Sequence, residues 1–387
     1  MTIRQVRLAA DTDRPAIEAL WAYCFNDGET FQRWYFNHYY RKDECLVACL
    51  DDMIVASLQM IDLPTRVGGK TVRAAYIVGV DCLPEYRGMG FTRQLMEEAL
   101  LHYAPAHHLQ LLHLMPFEAD FYEPYGFVFS DYHFQMALDM NEFYRPSDRA
   151  LARRYSWRSL NLEDATLAQM LPALEALYER STKRYDMAVE RKGERRWRAL
   201  LDDLAMEGGH VKLLYDDKEM LVGCLAYIMK EDAFFVREAL SVHAEAKRAI
   251  YYFIASHRSQ VKRVDWSAPL DEAVVFQRQK DKDNVRFQPF MMNLILDPTI
   301  LPLFTQCVPE KDLLFAVEDC GCYCWKKGRK SIEKVAQKTA DAPVLEKRLL
   351  TQMVFDRSWI ADEKDTVQCE LAALFTEKPR IFNNEYF

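Results

Sequence analysis

Between residues 44 and 138 the apolar positions fall in short runs of strand length, broken by glycine, proline or paired polar residues. Runs at about Glu44–Cys49, Met53–Asp62, Val72–Leu83, Leu109–Met115 and Phe127–Leu138 predict strands. Gly68-Gly69, set between two such runs, predicts a hairpin turn. The period changes near the start, where Ile17, Leu20, Trp21 and Tyr23 fall on one helical face behind N-cap candidates Asp11–Asp13 and an early Pro15. It changes again from about Phe91 to Tyr103, which predicts an amphipathic helix.

The order then recurs. A strand-like Trp157-Arg-Ser-Leu leads into a helical pattern reaching Tyr178, and strands follow at His210–Tyr215, Leu221–Met229 and Ala233–Ala239. A third segment offers strands at Leu313–Val317 and Gly321–Trp325, and helices at Val344–Met353 and Cys369–Phe375. The polar stretch Asn141–Ala150 marks a break. A chain of 387 residues exceeds what one core usually supports. Three domains are expected, at 1–145, 146–288 and 289–387, in an α/β class with mixed sheets.

One stretch carries the chemistry. Tyr76–Leu83 is an apolar run stopped by Pro84, Arg87-Gly-Met-Gly-Phe-Thr92 makes a turn, and a helix follows. A strand, a glycine turn and a helix N-terminus leave several backbone N–H groups unpaired on one side, which suits a phosphate. A P-loop is excluded, because five residues before Gly69-Lys70-Thr71 stands Pro64. The dinucleotide fingerprint is excluded by Arg93, which stands where its third glycine belongs. What remains is Arg/Gln-x-x-Gly-x-Gly/Ala after an apolar strand, with Thr92 replacing the final small residue. This resembles motif A of the GNAT N-acetyltransferases.

That resemblance implies acetyl-CoA as the acyl donor. Its pyrophosphate would rest on the N–H groups of Arg87, Gly88, Met89, Gly90, Phe91 and Thr92, and its pantetheine arm along Val78, Val80 and Cys82. Phe121-Tyr-Glu-Pro-Tyr-Gly-Phe127 is similar to a second signature of the family, whose tyrosine, here Tyr122, is the usual proton donor to the departing thiolate. The second segment reads as a degenerate copy, since Val242-His-Ala-Glu-Ala-Lys-Arg-Ala-Ile has no glycine where the cradle should stand. With a third segment opening Phe290-Met-Met-Asn-Leu-Ile, the layout resembles the Eis (enhanced intracellular survival) family. Its third domain has the fold of sterol carrier protein 2, and its final residue places an α-carboxylate in the first domain's site. That residue would be Phe387. The family's oligomers, often hexamers, imply a homo-oligomer.

Composition narrows the partners. Half of the residues are apolar and the formal net charge is −8, with no basic tract, so neither nucleic acid nor a membrane is expected. No signal peptide or membrane-length run is evident, and the ten cysteines are scattered, which together read as cytoplasmic. Cys320-Gly-Cys-Tyr-Cys324 lacks zinc spacing, and no metal is expected. A minor role as proton acceptor is considered for His113, in the strand beside the proposed thioester gap. For the acceptor, Asp27, Glu29, Trp34 and Phe36 offer carboxylates and aromatic walls, and Glu118 a further cation contact. A packed helix with a solvated turn explains the first four equally well. The resulting expectation is an acetyl-CoA-dependent N-acetyltransferase acting on a small amine or a protein lysine by direct attack. Its rivals are an apolar-ligand (lipid) carrier and a non-catalytic acyl-CoA sensor.

Overall fold

The computed structural model describes residues 4–141, 148–160, 167–272, 284–336, 342–356, 359, 361 and 365–385. Its frame is one sheet of twelve strands. The first half contributes β1 (Arg4–Leu8), β2 (Cys45–Leu50), β3 (Met53–Asp62), β6 (Ala74–Cys82), β7 (Leu111–Leu114) and β8 (Val128–Asp139). Between β3 and β6 the chain makes the short hairpin β4 (Thr65–Val67) and β5 (Lys70–Val72). Gly68 and Gly69 turn that hairpin with φ of 53° and 82°, the left-handed pair the sequence predicts. The second half contributes β9 (Ser156–Leu160), β11 (His210–Tyr215), β12 (Leu221–Lys230), β13 (Ala233–Ser241), β14 (Arg263–Pro269) and β15 (Asn284–Ile295), with β10 (Met187–Val189) outside the main sheet.

The strand order is β1-β2-β3-β6-β7-β15-β8-β14-β13-β12-β11-β9. Read outward from the central antiparallel pair β15–β8, the two arms match. β15 pairs antiparallel with β7 and β8 with β14; β7 then runs parallel to β6, and β14 parallel to β13. Each half thus lends a strand to the centre. Residues 284–295, which span the expected 288/289 boundary, form one of these two central strands.

Helices cover both faces. Helix α1 (Arg14–Phe25) and α2 (Glu29–His38) bury Trp21, Trp34, Tyr35 and Phe36 against one face of the first half. Helix α3 (Phe91–Glu98), continued by a wider π turn over Ala99–Tyr103, packs Phe91, Leu95 and Met96 on the other. In the second half the Leu167–Thr182 and Glu194–Met206 helices lie on one face and the Ala244–Ala255 helix on the opposite one.

The third segment builds a separate sheet from β16 (Leu313–Val317), β17 (Gly321–Trp325), β18 (Ile332–Val335) and β19 (Val344–Leu345), in the order β18-β17-β16-β19. The sequence pattern predicts a helix from Val344, but Ala316 and Val317 draw Val344 and Leu345 into a parallel ladder, and the helix runs over Lys347–Phe355. The next helix is Thr366–Ala372, started by the Asp365 side chain, which accepts from Gln368 N–H. A last strand, β20 (Ile381–Phe382), joins β10, β4 and β5 in a small sheet of order β20-β10-β4-β5. All three segments contribute to that sheet.

Candidate active site

Strands β6 and β7 pair only from Ala74–Tyr76 to Leu111–His113, and then separate. Where the ladder ends, the backbone N–H of Met115 donates to the Tyr76 hydroxyl at 3.1 Å instead of to a neighbouring strand. On its other edge β6 carries a bulge: Asp81 faces Ser57 while Val78 faces Gln59, one extra residue on β6. Gly79 sits in that bulge at φ 61°, and a Cβ there would stand 2.3 Å from the Trp21 ring. Position and packing both demand glycine. Just past Gly79, Val80 and Asp81 line a cleft.

The turn after β6 is held from both sides. Arg87 Nε donates to the Cys82 carbonyl at 3.2 Å, and the Arg4 guanidinium donates to the Met89 carbonyl at 3.0 Å while lying over Phe91. Gly88 and Gly90 have φ of 76° and 87°. Gly90 is the N-cap of α3, so the N–H groups from Gly90 to Arg93 have no acceptor within the helix. Gly90, Phe91 and Thr92 border the same cleft, of about 490 Å³, which runs back along β6.

Of the expected cofactor residues, Val80, Cys82, Arg87, Gly88, Gly90, Phe91 and Thr92 line this cleft together. Val78 packs under α1 and α2 instead. Met89 is exposed at the turn, its N–H already donated to the Tyr86 carbonyl at 3.3 Å. Lining residues that the sequence did not single out are Cys24, Phe25, Asp81, Tyr86, Phe117 and Phe121. Two signals were present: a glycine inside the apolar run of β6, and an aspartate two residues later.

Tyr122 lies on a one-turn helix, Ala119–Tyr122, and is buried beside that cleft. Its ring meets Phe121 at 4.9 Å and Phe117 at 6.0 Å between centroids, both cleft residues. Burial raises its phenol pKa, so the group is protonated throughout the physiological range. Burial also raises the Cys24 thiol, with Asp81 adding to the effect, and moves Cys82 up to about 11. Neither is a ready nucleophile.

The expected acceptor residues separate. Trp34 and Phe36 are core residues, and Trp34 Nε1 donates to the Ala199 carbonyl at 2.9 Å. Asp27 accepts from Trp21 Nε1 at 3.1 Å in the exposed turn before α2, and Glu29 is exposed in the first turn of α2. Glu118 is the exposed N-cap of the helix carrying Tyr122. His113 is fully enclosed, with Nε2 2.8 Å from Thr65 Oγ1 and Nδ1 2.7 Å from the Asn293 side chain. The nearby atom of Asn293 is its amide oxygen, so His113 Nδ1–H donates to Oδ1, and Nε2 is paired with the Thr65 hydroxyl. Burial lowers the His113 pKa to about 4. Both nitrogens are used in a structural bond, so a proton-acceptor role has no free atom to work through. Tyr386 and Phe387 lie outside the described residues. The tail is described to Glu385.

With this geometry in view, an acetyltransferase (GNAT) domain model matches residues 5–129, and a second acetyltransferase (GNAT) domain model matches residues 188–296. The chain is a tandem GNAT acetyltransferase. Members of this class take acetyl-CoA, and the unpaired N–H groups above an elongated cleft fit its pyrophosphate and arm. Solved structures similar to this tandem acetyltransferase include a probable N-acyltransferase from Enterococcus faecalis V583, at 18% identity and TM-score 0.81 over 100% of both chains. A GCN5-related N-acetyltransferase from Anabaena variabilis matches at 16% identity and TM-score 0.78, over 98% of this chain and 99% of that one. Eis1 from Mycobacterium abscessus matches at 13% identity and TM-score 0.72 over 100% of both. At these identities the likeness is one of fold. No curated protein matches the chain in sequence.

The second GNAT unit has the strand gap without the cradle. β13 and β14 pair only over Ala233–Val236 and Arg263–Trp266, and β13 bulges between Val236 and Glu238. A cleft of about 500 Å³ lies there, lined by Val236, Arg237, Trp266 and Arg286 among others. The helix that follows is capped by a side chain: His243 Nδ1 accepts from Ala246 N–H at 3.1 Å, where the first unit leaves its N–H groups open.

Proposed function

We propose that the first unit transfers an acetyl group from acetyl-CoA to an amine, with Tyr122 as general acid and the α-carboxylate of Phe387 as base or orienting group. One observation carries the reading. Val80, at the Gly79 bulge and on the stretch of β6 that β7 no longer pairs, lines one cleft with the open helix start at Gly90. When bound, acetyl-CoA supplies a thioester whose carbonyl is open to attack by an amine and whose thiolate leaves. The backbone of Gly79 and Val80 offers N–H groups for developing oxyanion charge. Tyr122, kept protonated by its surroundings, holds the proton a thiolate requires. The protonated state of Cys24 and Cys82 favours direct attack over an acyl-enzyme.

The acceptor is an amine of cationic class, whether a small molecule or a protein lysine, in keeping with the net charge of −8. The chain is read as working in the cytoplasm as a homo-oligomer of Eis-like organisation, in units 1–145, 146–288 and 289–387. Among the described residues, no helix is long and apolar enough to cross a membrane. The last unit is proposed to be sterol-carrier-protein-2-like, supported by its own four-stranded sheet and packed helices.

The test is a panel of amines assayed for acetyl-CoA-dependent release of free thiol. Turnover with at least one amine is expected, and Tyr122→Phe should lower kcat about 10²-fold or more at saturating acetyl-CoA. Full turnover by that variant removes Tyr122 from the role. Tight acetyl-CoA binding with no amine acetylated would favour the sensor reading.

A further inference from the structure

The chain's own end runs beside the gap of the second unit. Strand β20 lies parallel to β10 and carries Phe382 between the rings of Tyr178 and Tyr185, at 6.1 and 5.2 Å. The three residues that follow run past β8 and the bulge of β13. His133 Nε2 on β8 bonds the Asn383 carbonyl at 3.1 Å, while its Nδ1 reaches Ser267 on β14 at 2.9 Å. Asn384 Nδ2 donates to the carbonyl of Arg237, the bulge residue of β13, at 2.9 Å. That bulge is the counterpart of the one at Gly79. Glu385 then meets Arg191, which holds Glu238 of β13 with its other edge.

The Arg191 contacts are short and dry. Its guanidinium donates to Glu238 Oε1 at 2.7 Å and Oε2 at 3.0 Å, and to Glu385 Oε1 at 2.9 and 3.2 Å. It lies over the Tyr178 and Trp197 rings, and all three charged residues are buried. A buried carboxylate is costly unless paired and hydrogen-bonded, so this arrangement admits few positions for Glu385. The charge of Glu385 also acts on the first unit. The Tyr39 phenol, at the end of α2, is raised by burial and further by the charge of Glu385. Tyr39 shares its apolar cluster with Tyr76, the residue at the point where β6 and β7 part.

We propose that the second unit's vestigial donor site clamps the C-terminal tail at the β13 bulge, and that Arg191 is a positioning residue for the first unit. It acts through Glu385. Two residues reach at most about 7 Å, so the position of Glu385 bounds where the α-carboxylate can act. This inference rests on the reading that the Phe387 carboxylate takes part in the reaction.

The experiment uses the full chain in four forms: unaltered, Glu385→Gln, one glycine appended after Phe387, and both changes together. Glu385→Gln keeps shape and removes one charge from the clamp. Expected are a kcat at least 10-fold lower for Glu385→Gln with KM for acetyl-CoA unchanged, a similar loss for the extended chain, and no further loss on combining them. Carboxypeptidase should also release the last residues of Glu385→Gln several-fold faster than those of the unaltered chain. Losses that multiply in the double form, or full kcat for Glu385→Gln beside an impaired extended chain, overturn the positioning role. Full kcat for the extended chain overturns the carboxylate reading instead, and the clamp then stands or falls on the carboxypeptidase rates alone. If Glu385→Gln fails to fold, Glu385→Asp, which keeps the charge but shortens the reach, is read in the same four-way comparison.

Discussion

Gly79 shows how much one position can decide. Any side chain there meets the Trp21 ring and is strained by the positive φ as well. Gly79→Ala should cost about 1–3 kcal/mol, read from urea unfolding, and should lower kcat/KM beyond what the lost stability explains. Asp81, two residues on, gives a pH signature. Burial raises its carboxyl to about 7, against hydrogen bonds from Ser57 N and Oγ that lower it. Its folded state therefore binds a proton between roughly pH 4 and 7 that the unfolded chain does not, so this group stabilises as pH falls through that window. His113 and His133, both lowered to about 4 by burial, act in the opposite sense: the unfolded chain takes up the protons and stability falls. Asp81→Asn removes the first contribution and leaves the other two. Its unfolding free energy should drop more steeply from pH 7 to 4 than that of the unaltered chain, by as much as about 1.4 kcal/mol per unit of lost shift. Equal slopes would remove Asp81 from the balance. The glycine and the aspartate stand in plain sight inside an apolar run, whereas the partners that give them meaning, Trp21 and Ser57, are settled only by the fold.

At the scale of elements, the cradle is the part most open to measurement. A Cβ on Gly90 meets nothing, so Gly90→Ala costs only the left-handed conformation, about 1 kcal/mol. Calorimetry should find acetyl-CoA bound several-fold more weakly while the folded population is preserved. The strands were largely legible. Met53–Asp62, His210–Tyr215, Leu313–Val317 and Gly321–Trp325 are where their apolar patterns put them, because a short apolar run bounded by turn residues is a local signal. The Glu194–Met206 helix escaped notice although Trp197, Leu201 and Leu204 carry helical spacing, since charged residues crowd its other face. Val344–Leu345 was misread for a different reason. Two residues in a parallel ladder owe their state to β16, some thirty positions earlier in the chain. Pairings of that kind leave no local trace, and neither does the set Arg191, Glu238 and Glu385.

Across the whole molecule the matched arms of the sheet share their centre. Neither half has a complete set of strands alone, because β8 and β15 each close the other's arm. The tail adds a third tie. Phe382 fills a slot in the second half, and Phe382→Ala should cost about 3–5 kcal/mol, seen as a lower midpoint in thermal unfolding of the entire chain. The pattern of the sequence suggested three consecutive domains. The crossings that bind them are long-range and could not be read in order.

That shared centre has a consequence for the chain during synthesis. The strand seated beside β7 is β15, which emerges from the ribosome some 170 residues after β7 itself. Until then β7 and β8 present open edges, and an unpaired edge is a template for unwanted pairing. The first half must wait, partly assembled, through the translation of the second. Cut free as residues 1–145 it would wait indefinitely, and such a fragment should aggregate, while one extended to residue 296 should stay in solution.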